Sequence, residues 1–325
     1  MPVALTIAPE QAVRYRLQIN QLTSRLPAGS VLAAARFGLQ DTAPRDALLG
    51  LHARMEHCRP EDWQHPGLIQ TYSPRAAVHL LSRDAFGIFT LGRMPLDPDQ
   101  QATIERYADQ VCEVLAGREL RQAGLANQRA ACASGRIALR WTTSALYVRE
   151  VERPQIDLET ARRALCRLHI RAFGPTTPAT YAWWSGLSAA DARAVWQRCA
   201  DDLLPVRIGD HRAWILSEEE QLLRSAPEPS GVRLLVPSDL RLLGQDRSGL
   251  FVGPGQKRLS DRHDSFHPGG VLLGRTVVGA WGRRGGRVDV RLSAALSGPE
   301  RELVEAEALA MPIPRATMSI TISDR

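Results

Sequence analysis

The sequence contains one lysine. Lys257 is the only one among 41 basic residues, set against 35 acidic residues in a chain of 325, for a formal net charge of +6. Long apolar runs are missing too. No stretch of about 18 apolar residues occurs, which leaves no candidate membrane span. The opening MPVALTIAPEQAVRYR has neither a basic leader nor an apolar core of about 7–15 residues, so it does not read as a signal peptide. Cysteine is sparse and scattered. Cys58, Cys112, Cys132, Cys166 and Cys199 are odd in number, lie mostly on predicted apolar helix faces and form no C-x-x-C pair. Reduced core thiols in the cytoplasm fit that pattern, whereas a disulfide frame or a cysteine metal site does not.

What remains is an ordinary globular composition with a basic bias. At 44% hydrophobic and 23% charged residues the chain fits a soluble protein, and its length suffices for two to four small domains. Arginine grips phosphate through two parallel hydrogen bonds and stacks on bases, so an acidic polymer is its natural partner. GC-rich codon usage is an alternative source of the arginine-to-lysine ratio, but it does not produce the positive excess.

Three segments repeat one plan of helices followed by a short hairpin. In the first, Pro9 opens a helix with the stripe Ala12, Tyr15, Ile19 and Leu22. Ser30 caps a short helix ending at Gly38, and a third helix from about Pro44 turns Leu48, Leu51, His52 and Met55 to one face. LIQTY and AAVHLL around SPR then read as two strands. The second segment opens with PDQQATIERYADQVCEVL, striped at Ile104, Ala108, Val111 and Leu115. It continues through ANQRAACA to the hairpin RIALRW/ALYVREV. The third is the clearest. Asp157 caps a helix closed at Gly174, Thr177-Pro178 starts YAWW, and Ser188 with Asp191 starts ADARAVWQRCADDL before the hairpin PVRI-GD-HRAWIL. Helix, short helix, helix, hairpin is the winged-helix pattern.

After SAPEPSG, the short alternating strands VRLLV, GGVLLG, RTVVGAWG and RVDVRL are separated by glycines, with a late helix at PERELVEAEALA and a last strand at TMSITI. The fold class expected is α+β: three tandem winged-helix modules at 1–95, 96–154 and 155–224, then a small β-barrel at 225–325.

Between the second and third predicted helices lies GLQDTAPR. It brings a carboxamide (Gln40), a carboxylate (Asp41), a hydroxyl (Thr42) and a guanidinium (Arg45) within six positions. One reading is a helix stop followed by a helix start; the other is the front of an active site.

Four stretches together resemble the AlkZ/YcaQ-like winged-helix proteins of bacteria: GLQDTAPRDALLGLHAR, ERPQIDLETARRAL, FGPTTPATYAWWSGLSAADAR and FHPGGVLLGRTVVGAWGRRGGRV, in that order across nearly the whole chain. The resemblance implies three winged-helix modules and a C-terminal β-barrel enclosing a channel for duplex DNA. It also implies monofunctional DNA glycosylase activity on bulky N-alkylated purines, including interstrand crosslinks formed by antibiotics. The family carries a Gln-x-Gln or Gln-x-Asp motif after a Gly-Leu pair. Here Gln40 matches the first position, Thr42 stands at the second, and Asp41 supplies a carboxylate one position out of phase. A purine alkylated at N7 or N3 is already cationic and leaves without an acid, so the protein must place a water and stabilise positive charge at the sugar.

Gln40, Thr42 and Asp41 are therefore the candidate catalytic residues. Each also has a structural reading: Gln40 as a polar residue at a domain seam, Thr42 as a helix cap, and Asp41 as a helix-dipole partner or alternative cap. His79 shares a face with Ala77 and Leu81 and reads as a hydrogen-bonded imidazole. Trp183 and Trp184 read as core of the third module, not as a base-stacking platform. Candidate DNA contacts are Arg45, Arg193 and Arg198 on or near helices, and Arg283, Arg284 and Arg287 on a glycine-rich hairpin tip; a solvated helix face is the alternative for Arg193 and Arg198. His263 and His267 have metal-like spacing, but they lie in a Gly/Pro-bounded loop with no nearby cysteine, so neither metal nor cofactor is expected. The partner expected is duplex DNA, alkylated or not, bound by a cytoplasmic monomer with no membrane contact. The rivals to a glycosylase are a non-catalytic DNA-binding protein and a winged-helix transcription regulator. The regulator ranks lower because no dimerisation segment matches a palindromic site.

Overall fold

A computed structural model of the chain describes residues 5–41, 43, 45–122, 125–142, 144–239, 268–293 and 295–324. The expectations placed on Thr42, His263 and His267 lie outside the described residues. In chain order the elements are β1 (Leu5–Ile7), α1 (Pro9–Ile19), α2 (Val31–Ala34), β2 (Leu39–Gln40), α3 (Asp46–Arg54), β3 (Leu68–Tyr72), β4 (Val78–Ser82), α4 (Phe86–Leu91) and α5 (Pro98–Leu115). There follow β5 (Leu120–Arg121), α6 (Gln128–Ala131), β6 (Ile137–Trp141), β7 (Leu146–Glu150), α7 (Leu158–Phe173), α8 (Pro178–Ser185), α9 (Ala189–Gln197), β8 (Leu203–Ile208) and β9 (His211–Leu216). The last are α10 (Glu220–Ser225), β10 (Val232–Leu235), β11 (Gly269–Leu273), β12 (Thr276–Arg284), β13 (Arg287–Leu292), a C-terminal helix (Gly298–Leu309) and β14 (Ser319–Asp324).

Local chemistry starts these helices. Asp97 accepts the Gln100 amide at 2.9 Å, Asp157 the Thr160 amide at 2.9 Å, Thr177 the Thr180 amide at 3.2 Å and Ser188 the Asp191 amide at 3.0 Å. Each satisfies an otherwise orphaned helix donor, worth about 1 kcal/mol. The apolar stripes then bury: Ala108, Val111 and Leu115 of α5 and Ala161, Leu165 and Ile170 of α7 are all within 2% of complete burial.

The strands gather into three sheets. The hairpins of the first two segments fuse into one six-stranded sheet, order β2-β4-β3-β6-β7-β5, joined where Gln70 of β3 meets Leu139 of β6. The third segment's hairpin, β8–β9, is extended by β1 from the other end of the chain, parallel to β8 with Thr6 opposite Arg207. Tyr15 and Ile19 of α1 pack there against Val206, Ile208 and Ile215.

The C-terminal strands correct the expectation of a β-barrel. Among the described residues they form an open five-stranded sheet, β10-β11-β12-β13-β14, whose last pair is parallel and whose edge strands do not meet. The physical reason lies in what covers its apolar face. Val304 and Ala308 of the C-terminal helix and Leu49 of α3 pack on Val232, Leu234, Val271 and Val290, so the sheet buries itself under helices instead of closing on itself. α3 is thus a shared wall. Leu48 and Leu51 pack towards Leu39 and Leu80 of the six-stranded sheet, while Leu49 faces the C-terminal sheet. Buried ion pairs fasten the same seam. Arg54 of α3 holds Asp239 through two hydrogen bonds of 2.8 and 2.9 Å, and Arg25 donates to Glu307 at 2.5 Å with His52 Nε2 3.6 Å from the same carboxylate.

Candidate functional site

Strand alternation decides the geometry of the Gln-Asp pair. β2 lies at the edge of the six-stranded sheet, with Leu39 opposite Leu80 and Gln40 opposite His79, and the Asp41 amide donates to Val78 O at 2.8 Å. Successive side chains on an extended chain point to opposite faces. Gln40 therefore shares its face with His79 and Thr71, in register across β4 and β3. Leu39 and Asp41 share the other face with Leu80 and Gln70. The two neighbours in sequence are on different sides of one sheet.

Asp41 faces α3 and is buried to 2% exposure. Its Oδ1 accepts the Ala47 amide at 3.0 Å, in the first turn of α3, and its Oδ2 accepts the Gln70 side-chain amide at 2.8 Å. Gln70 in turn accepts the Trp141 amide at 2.7 Å. A carboxylate with two strong donors at a helix N-terminus is a cap and a sheet-to-helix tie. Burial pushes its pKa up to about 6, against the pull of the Ala47 amide, the Arg45 guanidinium and Gln70. Beside it, Asp46 accepts the Ala43 amide at 3.2 Å and is also raised by burial to about 6. Arg45 precedes α3 in a left-handed conformation (φ 81°), its guanidinium 3.7 Å from the centre of the Trp63 ring and donating to Trp141 O at 3.3 Å. The predicted DNA contact at Arg45 is thus half-buried and lashed to the sheet.

Gln40, half-buried, lies on the aromatic face. There His79 Nδ1 donates to Ala77 O at 3.0 Å, and the ring sits 6.5 Å from Phe89, which meets Trp184 edge-on at 6.2 Å. Burial lowers the His79 pKa to about 4, so the imidazole is neutral at physiological pH with its second nitrogen an acceptor.

The other arginines separate by environment. Arg193 on α9 and Arg284 at the β12–β13 tip are exposed. Arg198 is exposed but ion-paired with Glu159, and Arg287 pairs with Asp289 at 3.0 Å. Arg283 departs from the exposed tip expected of it. It is half-buried, its Nη1 donates to Gly285 O at 2.6 Å, its Nε is enclosed without a hydrogen-bond partner among the described residues, and its charge acts on Asp46. The reason is that α3 covers the C-terminal sheet, a contact no local pattern announces. A second departure is Trp183. Trp184 is core, but Trp183 is 47% exposed with Arg75 4.2 Å over its ring. Adjacent positions on a helix lie roughly 100° apart, and on α8 it is Trp184 that takes the inward side while Trp183 lies on the outer one.

Gln70, Trp63 and Asp46 were not singled out from the sequence. For Gln70 a signal exists: it is the polar residue of LIQTY, a strand buried at every position, and a buried carboxamide requires partners. Among the described residues no group of three or more His, Cys, Asp or Glu is arranged to hold a metal ion, and no helix is long and apolar enough to cross a membrane.

No curated protein matches the sequence. Among solved structures the chain is similar to Streptomyces sahachiroi DNA glycosylase AlkZ, with a TM-score of 0.78 and 18% identity over 98% of this chain and 100% of that one. The family described as DNA glycosylase AlkZ-like matches residues 34–311, a span that includes Gln40, the six-stranded sheet and the arginine hairpin. The chain belongs to the AlkZ-like DNA glycosylase family.

Proposed function

We propose that the protein is a monofunctional DNA N-glycosylase that releases bulky cationic N-alkylated purines from duplex DNA. Its three helix–hairpin segments act as winged-helix modules on the duplex. The observation that carries this reading is the placement of Gln40, held on a pinned two-residue edge strand in register with a neutral, acceptor-bearing His79. In the reaction a water oxygen bonds to C1′ as the C1′–N bond breaks, and the electron pair of that bond neutralises the alkylated purine as it leaves. The water's proton passes to solvent. The Gln40 carbonyl accepts a hydrogen bond from the water and aims it at C1′, work that falls in the transition state. No covalent amine intermediate forms, so the product is an abasic site in an uncut strand. Asp41, engaged on the other face, serves as a positioning residue for β2 and α3, and Thr42 is the second water-holding group. Exposed Arg193 and Arg284 contact phosphates.

The test is release of free base from a duplex carrying N7-methylguanine or a bulkier N-alkylated purine. Wild type should release base, and Gln40→Ala should lose activity by about 10²–10³-fold with duplex affinity unchanged. Tight duplex binding without base release, by wild type and by Thr42→Gln and Thr42→Asp alike, would reject the enzyme. A second reading, a non-catalytic DNA-binding protein, is favoured by one observation. The only carboxylate of the motif is turned away from Gln40 and has both oxygens engaged.

A further inference from the structure

Trp183 is the sole tryptophan among the large exposed apolar side chains of the described residues. Its setting is not that of a stray surface residue. One face of its indole carries the Arg75 guanidinium at 4.2 Å. Arg75 and Ala76 form the β3–β4 turn with φ of 61° and 53° in succession, a left-handed pair that costs non-glycine residues about 1–2 kcal/mol each. Such strain persists only where the surroundings impose it, and it clusters at working sites.

The pair is also rigidly mounted. Arg93 donates from Nε to Ser185 O at 3.1 Å and from Nη1 to Tyr72 O at 3.4 Å, tying the end of α8 to the end of β3 beside the turn. Trp184, the next residue, is sunk into the core against Phe89 and His169. The hairpin so fixed is the one whose β4 strand carries His79 opposite Gln40, four residues from Arg75 along the chain. The Arg75 and Arg93 charges both act on His79, so the turn that carries the indole's partner stands close to the Gln40 row. A second cation, Arg129, lies 5.2 Å from the Tyr72 ring at the same end of the strand.

We propose that Trp183, backed by Arg75, is a stacking platform for a nucleobase of the DNA duplex that has left its stack beside the Gln40 site. An indole held flat by a guanidinium offers a rigid π-face in a cationic rim, the chemistry by which proteins hold unstacked bases irrespective of sequence. A rigid mount avoids the ordering cost that a loose side chain would incur on binding. The inference rests on the proposed action on DNA and adds the residue that separates distorted from intact duplex.

The experiment compares a fully paired duplex with the same duplex carrying a one-nucleotide bulge of 2-aminopurine. Wild type should bind both, prefer the bulged one and quench its fluorescence. Trp183→Ala should weaken bulged-duplex binding by about 5- to 150-fold, abolish the quench, and leave affinity for the paired duplex and the salt dependence unaltered. Trp183→Phe should retain most of the preference, and both variants should melt with wild type because the side chain is exposed. If Trp183→Ala binds both duplexes as wild type does, or loses affinity for both with a shallower salt slope, the indole is not a base platform. Failure of wild type to bind either duplex would instead overturn the DNA reading on which the platform rests.

Discussion

The two faces of the six-stranded sheet, one residue apart at Gln40 and Asp41, have been put to different uses. On the Asp41 face the described polar groups are tied to the scaffold: a buried carboxylate between Ala47 and Gln70, Gln70 on Trp141, and Arg45 between Trp63 and Trp141. On the Gln40 face no carboxylate is recorded among the described residues; a neutral imidazole, aromatic rings and a half-buried carboxamide stand there, with the Arg75 and Arg93 charges acting on His79. The first face is a clamp that makes β2 and α3 one body. The second is the face on which the proposed chemistry is placed. The comparison teaches that a motif read in sequence as one cluster can divide its labour across a sheet.

The sharpest way to break that division is to exchange its consequences. Gln40→Ala should cost activity far more than stability. Asp41→Ala should do the reverse first, leaving the Ala47 and Gln70 donors buried without an acceptor and lowering stability by about 2–4 kcal/mol; chemical denaturation would measure it. A fully folded Asp41→Ala enzyme that is as inactive as Gln40→Ala would put Asp41 in the chemistry and erase the distinction.

A subtler probe is pH. The Asp41 pKa is raised from its ordinary value of 3.8 to about 6 in the folded protein. A carboxyl that binds its proton more tightly when folded adds stability that is complete below the unfolded pKa and is lost as pH rises through the folded one. Wild type should therefore gain stability relative to Asp41→Asn as pH falls from about 7 to about 4, by up to about 3 kcal/mol, since each pKa unit is about 1.4 kcal/mol. Parallel stability curves for the two proteins would mean that Asp41 does not titrate in this window.

Smaller effects sharpen a parallel contrast at the arginine hairpin. Arg284→Ala should weaken duplex binding modestly, reduce the slope of log affinity against log salt by about 0.9, and leave stability within about 0.5 kcal/mol. Arg283→Ala should instead register as a change in stability, because its side chain is half-buried and its charge acts on Asp46. Smallest of all, Arg198→Ala should alter DNA affinity less than Arg193→Ala, since Arg198 is already paired with Glu159.

Much of the scaffold was legible without coordinates. The caps Asp157, Thr177 and Ser188, the buried stripes of α5 and α7, and the hairpins β3–β4, β6–β7 and β8–β9 all follow from signals confined to a few consecutive residues. The site was legible only as a list of residues. Asp41 could be read as a cap because a carboxylate just before a helix is local chemistry. Its tie to Gln70, 29 positions away, could not.

The sequence by itself determined the elements, the arginine-dominated charge and the family, because capping, periodicity and motif order are properties of the chain read in line. Only the tertiary structure decided that two hairpins fuse into one sheet and that β1 joins the third segment's hairpin. It also decided that the C-terminal strands lie open under helices, that Arg283 is drawn inward, that Trp183 is left out, and that Gln40 and Asp41 face apart. Each of these depends on which distant surface arrives to cover a given face. Burial and strand register are set by partners tens to hundreds of residues away, and no local pattern encodes them.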